Sequence, residues 1–154
     1  VMELIKDVKE HVVPVGRLDM YTSGALILSN DGDFIFEVTN PKHEITKTYQ
    51  VTLKVIITEG EIENLQNGVD IGECITRPAK VRIMKIDKEK QISRIEIVIH
   101  EGKNRQVRRM CEGVGKKVLA LHRSKIGLLS VKDLKLGEWR YLKLSEISSL
   151  LRKN

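Results

Sequence analysis

Three stretches of this chain carry residues that could do chemistry. The first is Gly16-Arg17-Leu18-Asp19-Met20-Tyr21-Thr22-Ser23-Gly24, which runs straight into the apolar Ala25-Leu26-Ile27-Leu28-Ser29. It places the carboxylate of Asp19 in a short loop between an arginine and a strand, and loops on rigid scaffolds are where catalytic groups concentrate. Alone, Arg17 and Asp19 read more readily as a local ion pair in a turn than as a catalytic site. The second stretch is Lys47-Thr48-Tyr49, whose ring lies on the apolar face of an alternating strand, either as a core tyrosine or with its hydroxyl aimed at a cleft. The third runs from Lys103 to Lys125 and holds Lys103, Arg105, Arg108, Arg109, Lys116, Lys117, Arg123 and Lys125 against a single acid, Glu112.

That third stretch accounts for the whole excess of positive charge, since the net charge of all 154 residues is +6. A one-signed segment of this kind is the footprint of a phosphate-binding surface, whereas a merely solvated face mixes its signs. Within it, Val107, Met110, Cys111 and Val114 form a helical apolar stripe with arginines opposite. Lys103, Arg105 and Arg108 crowd the start of that helix, where the dipole disfavours cations, so an anion is expected nearby: a phosphate, or a carboxylate such as Asp19.

Other chemistries are excluded. The histidines His11, His43, His100 and His122 and the cysteines Cys74 and Cys111 are scattered, without the spacing of a metal site, so no metal and no cofactor is expected and the thiols are expected to be free in a reducing cytoplasm. Asn30-Asp31-Gly32-Asp33 begins like a calcium loop, but Pro41 or Lys42 stands where the bidentate glutamate belongs. No apolar run approaches the roughly eighteen residues of a membrane span.

The elements that must position these residues follow from periodicity and punctuation. A short amphipathic helix is predicted over Met2 to Glu10, an extended piece through Pro14, and one buried strand over Ala25 to Ser29. Asp33 is expected to cap a helix over Phe34 to Asn40; Lys47 to Val55 alternates as a half-buried strand; Glu59 to Gln66 is a helix stopped at Asn67-Gly68. Ala79 to Ile86 and Gln91 to His100 form a hairpin, and Asn104 caps the basic helix, which ends at Gly113 and Gly115. Strands over Lys117 to Ser124, Ile126 to Val131 and Gly137 to Leu144 precede a helix capped by Ser145 with Leu150 and Leu151 inward. The expected architecture is α+β, a mainly antiparallel mixed sheet with helices packed on it.

Taken together, Gly16-Arg17-Leu18-Asp19 with Thr22-Ser23-Gly24, Lys47-Thr48-Tyr49, and Glu101-Gly102-Lys103-Asn104-Arg105-Gln106-Val107-Arg108-Arg109-Met110 resemble, in order and spacing, the three motifs of the bacterial pseudouridine synthases that modify ribosomal RNA. The resemblance implies the catalytic fold of that family and an isomerase acting on a uridine of ribosomal RNA, with Asn104-Arg105 closer to the 23S than the 16S branch. It implies Asp19 as the catalytic carboxylate, Tyr49 as the ring against the target base, and Arg108 as the cation pairing with Asp19, with Arg17 and Gln106 as supporting substrate contacts. Lys103, Arg105, Arg109, Lys116, Lys117 and Arg123 are then the RNA-binding set, in a cytoplasmic monomer. Family members carry an N-terminal S4 RNA-binding domain and a first strand before the helix at which this chain starts, so residues 1–154 are expected to be the catalytic domain without them. A non-catalytic RNA-binding or ribosome-assembly module on the same fold is the alternative.

Overall fold

The alternating run in the middle of the chain becomes the middle of the sheet. Lys47–Lys54 forms strand β4, with Tyr49, Val51 and Leu53 directed into the core and Val51 and Leu53 fully buried. The structure, a computed structural model, describes residues 2–152. Before β4 come β1 (Val13–Val15), β2 (Thr22–Gly24), β3 (Ile27–Ser29) and helix α1 (Gly32–Thr39). After it come α2 (Glu59–Asn67), β5 (Lys80–Asp87), β6 (Ile92–Ile99), α3 (Gln106–Gly113), β7 (Lys117–Ile126), β8 (Leu129–Ser130) and α4 (Leu144–Leu151).

The main sheet has the order β2-β7-β4-β6-β5, with β8 folded back on the end of β7. All of its pairings are antiparallel except β2 with β7. The expected α+β class is therefore observed. One core lies between this sheet and α2 and α3, where Leu65, Met110 and Cys111 are sealed from solvent. Burial pushes the Cys111 thiol up to about 12, so it is an inert packing group, and both cysteines are free. A second core, built on Val15, Ile27, Phe34, Ile126 and Leu150, joins α1 and α4 to the small β1–β3 pair.

Of the predicted strand over Ala25 to Ser29 only Ile27–Ser29 is a strand, and Thr22–Gly24, read from sequence as loop, is a separate strand in a different sheet. Residues Thr22 to Gly24 run parallel to β7, in register with Leu121 to Arg123, and the chain then turns away at Ala25 to pair Ile27–Ser29 with β1. Gly24 makes the switch possible: at φ +118 a Cβ there would stand 2.1 Å from the Arg123 carbonyl oxygen. Helix α1 is capped by Asp31 rather than Asp33, because Asp31 Oδ1 accepts from the amides of both Asp33 and Phe34, at 3.0 and 3.2 Å. Helix α2 has the capping box of Thr58 and Glu61.

The ends depart furthest from expectation. The N-terminal helix is only a 3-10 turn over Met2–Ile5, with Ile5 buried and Leu4 exposed. The predicted strand over Gly137 to Leu144 is irregular, since its side chains find their partners across the surface: Trp139 Nε1 donates to Asp7 and the Tyr141 hydroxyl to Glu10. Helix α4 starts one residue before Ser145, where the Lys143 amide donates to Glu146 Oε1 at 2.8 Å, and only Leu150 of the leucine pair is buried.

Gly24→Ala is expected to cost at least about 3 kcal/mol in urea unfolding, because backbone rather than a flexible side chain blocks the new methyl. Gly16→Ala, at φ +77 in open space, should cost only about 1 kcal/mol.

Candidate active site

Asp19 sits where the loop leaves β1 and before β2 begins, and its carbonyl accepts from the Thr22 amide at 3.0 Å to close a turn. The turn is fastened to the sheet three residues later. Ala25 donates its amide to the Arg123 carbonyl at 2.7 Å, and the Arg123 guanidinium returns two bonds, from Nε and Nη2, to the Ala25 carbonyl at 2.9 and 2.7 Å. Arg123 is only 5% exposed, so it is not part of the surface RNA-binding set. Its position two residues from buried Leu121 on the same strand face was the available signal, hidden by its place in a basic run.

A small cleft of about 40 Å³ gathers the sequence-distant motifs: Arg17, Asp19 and Thr22 from the loop, Tyr49 from β4, Lys103 and Arg105 from the approach to α3, and Arg123. Tyr49 satisfies both readings at once, since its ring packs against the main core and also lines the cleft. The Thr22 hydroxyl oxygen is buried and has no partner among the described residues.

Arg108 is placed differently from expectation. Its Nη2 donates to the Tyr21 carbonyl at 3.0 Å, and no ion pair among the described residues includes Asp19. The guanidinium therefore reaches the Asp19 loop through its backbone. Gln106 lines the cleft, with its polar groups bonded within the fold. It is 3% exposed, accepts from the Lys103 amide at 3.0 Å and donates to Glu101 Oε1 at 2.9 Å. Glu101 also accepts from the Arg77 amide at 2.8 Å, so the carboxylate beside the start of α3 is Glu101 rather than Asp19. Asn104 caps nothing, since Arg105 takes the cap position at φ +51 without a side-chain bond.

The remaining cations divide into two kinds. Lys103 and Arg105 are exposed and line the cleft. Arg109 pairs with Glu73 at 2.6 Å and Lys116 with Glu61 at 2.7 Å. Lys116 and Lys117 stand at the far end of β7, with Lys117 six residues from Arg123, or about 20 Å at the rise of a strand. Lys47 is a cation not assigned from sequence: it shares the inner face of β4 with Tyr49, and its ammonium would lie 3.2 Å from a Cβ at Gly102. Burial, and then the charge of Arg123, hold its pKa below the ordinary lysine value.

A far larger cavity, about 1180 Å³, lies on the other side of the loop between the first 3-10 turn, β1–β3 and residues 129–142. It contains neither Asp19 nor Tyr49, and volume alone does not make a site. Among the described residues no cluster of His, Cys, Asp or Glu could hold a metal ion, and no helix is long and apolar enough to cross a membrane.

Comparison with known proteins agrees with this geometry. A family model described as RNA pseudouridylate synthase matches residues 4–113. The ribosomal large subunit pseudouridine synthase B of Bacillus subtilis is 41% identical over 150 residues, covering 97% of this chain and 62% of that protein. The ribosomal small subunit pseudouridine synthase A of Vibrio cholerae is 39% identical over 140 residues, covering 88% of this chain and 57% of that protein. A crystal structure of a pseudouridylate synthase superposes with a TM-score of 0.79 at 36% identity, covering 90% of this chain and 59% of its own. The chain thus spans about three-fifths of the length of these relatives.

Glu101→Ala removes the acceptor shared by Arg77 and Gln106. Its expected cost is about 1–3 kcal/mol, with faster amide exchange at Lys103 and Gln106 in hydrogen-exchange measurements.

Proposed function

The chain belongs to the RNA pseudouridylate synthase family, and from that membership we propose that it isomerises a uridine of ribosomal RNA to pseudouridine. We assign the large-subunit RNA ahead of the small-subunit RNA, on the strength of Asn104-Arg105 before Gln106 and the similarity to the Bacillus subtilis large-subunit enzyme. The observation that carries the reading is the convergence of Asp19, Tyr49 and the exposed cations Lys103 and Arg105 on one cleft.

The reaction breaks the bond between N1 and C1′, turns the base, and joins C5 to C1′; the C5 proton leaves to solvent and N1 takes one up, so no redox partner or group donor is needed. Positive charge builds at C1′ as N1 departs. A carboxylate beside the sugar stabilises or traps that centre, as in glycoside chemistry, and Asp19 is the carboxylate of the cleft. Before any of this, the uridine must leave its stack, and the half-buried Tyr49 ring supplies a face for the extruded base.

Arg123 and Lys47 contribute charge from within the fold. The Arg123 guanidinium is bonded to a carbonyl rather than a carboxylate, so its charge is not neutralised locally and acts on the cleft it lines. It attracts the phosphates of the flipped nucleotide. Lys103 and Arg105 hold the RNA backbone at the mouth, largely without reading sequence.

Two outcomes follow. With RNA labelled at uridine C5, the complete protein should release tritium, and Asp19→Ala should slow that release by on the order of 10³-fold or more while RNA affinity stays within about threefold. Full activity in that variant would falsify the mechanism. Lys103→Ala and Arg105→Ala should each flatten the salt dependence of RNA binding by about 0.7 in log–log slope, while Lys116→Ala, whose ammonium is held by Glu61, should leave it unchanged.

A further inference from the structure

We infer that Tyr21 is a stacking platform for a nucleobase adjacent to the target uridine, an inference that rests on the RNA-modifying reading above. Tyr21 occupies the third position of the turn that begins at Asp19, and its φ of +68 lies in the left-handed region. That position suits glycine or asparagine; a tyrosine there is strained. The strain is not offset by packing, because Tyr21 is 87% exposed and its neighbour Met20 is 77% exposed. Strained residues that packing does not explain cluster at functional sites.

The turn is nevertheless held firmly. The Thr22 amide closes it onto Asp19, and Arg108 of α3 donates to the Tyr21 carbonyl at 3.0 Å. The backbone of Tyr21 is thus tied to both walls of the cleft while its ring projects to solvent. The exposed cations Arg17, Lys103 and Arg105 line the cleft that this turn borders, together with Asp19 and Thr22 at the two ends of the turn. A flat ring within a positive rim is what single-stranded nucleic acid meets on stacking platforms, where cations track the backbone and aromatic faces take the bases.

The geometry also separates Tyr21 from Tyr49. The Tyr49 ring is half-buried against the core and suits the flipped base, whereas Tyr21 lies outside the cleft on the same loop as the carboxylate. A base stacked on it belongs to a nucleotide next to the target and fixes how the strand crosses the mouth. Arg108 is then a positioning residue: it holds the loop's carbonyl, and so the ring, at the cleft's edge.

The test compares Tyr21→Phe, Tyr21→Trp and Tyr21→Asn in the complete protein, with ribosomal RNA fragments that are intact or abasic at the nucleotide on either side of the target. Asparagine suits the left-handed turn, so Tyr21→Asn should melt at the same or a higher temperature. It should nonetheless raise KM for intact RNA about tenfold, with kcat changed by less than about twofold, and the Phe and Trp variants should restore KM. On one of the two abasic RNAs the wild type and Tyr21→Asn should bind alike. An unchanged KM in Tyr21→Asn, or the same loss on both abasic RNAs, overturns the platform. If the wild type releases no tritium from intact RNA, the isomerase reading fails separately, and the same variants measured by equilibrium RNA binding still decide the role of Tyr21.

Discussion

The site depends on how one buried arginine grips the chain at Ala25. Arg123 receives the Ala25 amide on its own carbonyl and sends two guanidinium bonds back to the Ala25 carbonyl, so a single residue of β7 satisfies both backbone groups of the point where the chain leaves the main sheet. Such a switch would otherwise leave buried polar groups unpaired, at a cost of about 1–3 kcal/mol each. Gly24 lets the two backbones close to this distance. Asp19 is thereby held six residues from an anchored point, with a parallel strand pairing between. The same guanidinium that fastens the loop also lines the cleft, so structure and electrostatics share one group.

The opposite wall is held by an independent network. Glu101 and Gln106 close around the Lys103 amide and leave the side chains of Lys103 and Arg105 exposed. This resolves the apparent conflict of cations crowding a helix start: the side chains that bear the charge are in solvent, and the buried polar work is done by the Gln106 amide and the Glu101 carboxylate. Among the described residues, the hydrogen bond that joins the two walls runs from Arg108 to the Tyr21 carbonyl. A cleft of about 40 Å³ is far below the several hundred that small-molecule sites occupy. On the proposed reading, a nucleoside enters by the exposed mouth at Lys103 and Arg105.

Much of this was legible in the sequence, for reasons tied to period. Strands β4, β5 and β6 and helices α2 and α3 announced themselves through alternation, an Asn-Gly stop and an apolar stripe, and the family resemblance brought Asp19, Tyr49 and the basic motif together. The parts that were not legible depend on partners distant along the chain. The run Thr22 to Ser29 does not show where one strand ends and the next begins, and the break at Ala25 is set by Arg123, almost a hundred residues away. Arg108 and Arg123 exchanged expectations for the same reason: a basic run does not say which of its members points inward, and the reading of Arg123 as surface ignored its phase with Leu121. The resemblance implied Gln106 as a substrate contact; it lines the cleft, and its bonds to Glu101 and to the Lys103 amide depend on a fold that its residue type does not announce.

Charge placement in the cleft follows from cost. A buried cation without a carboxylate partner is expensive, and folds commonly avoid it by pairing. Here Arg109 and Lys116 are paired, while Arg123 is tied to a carbonyl and Lys47 is half-buried beside Gly102 under a depressed pKa. Neither inner cation is in an ion pair among the described residues, and Asp19 is the single acid lining the cleft. Their cost is recovered only if negative charge occupies the cleft in the working state. On the proposed reading, Asp19 and the phosphates of an extruded nucleotide supply that charge, so that binding an anionic substrate relieves an electrostatic imbalance built into the fold.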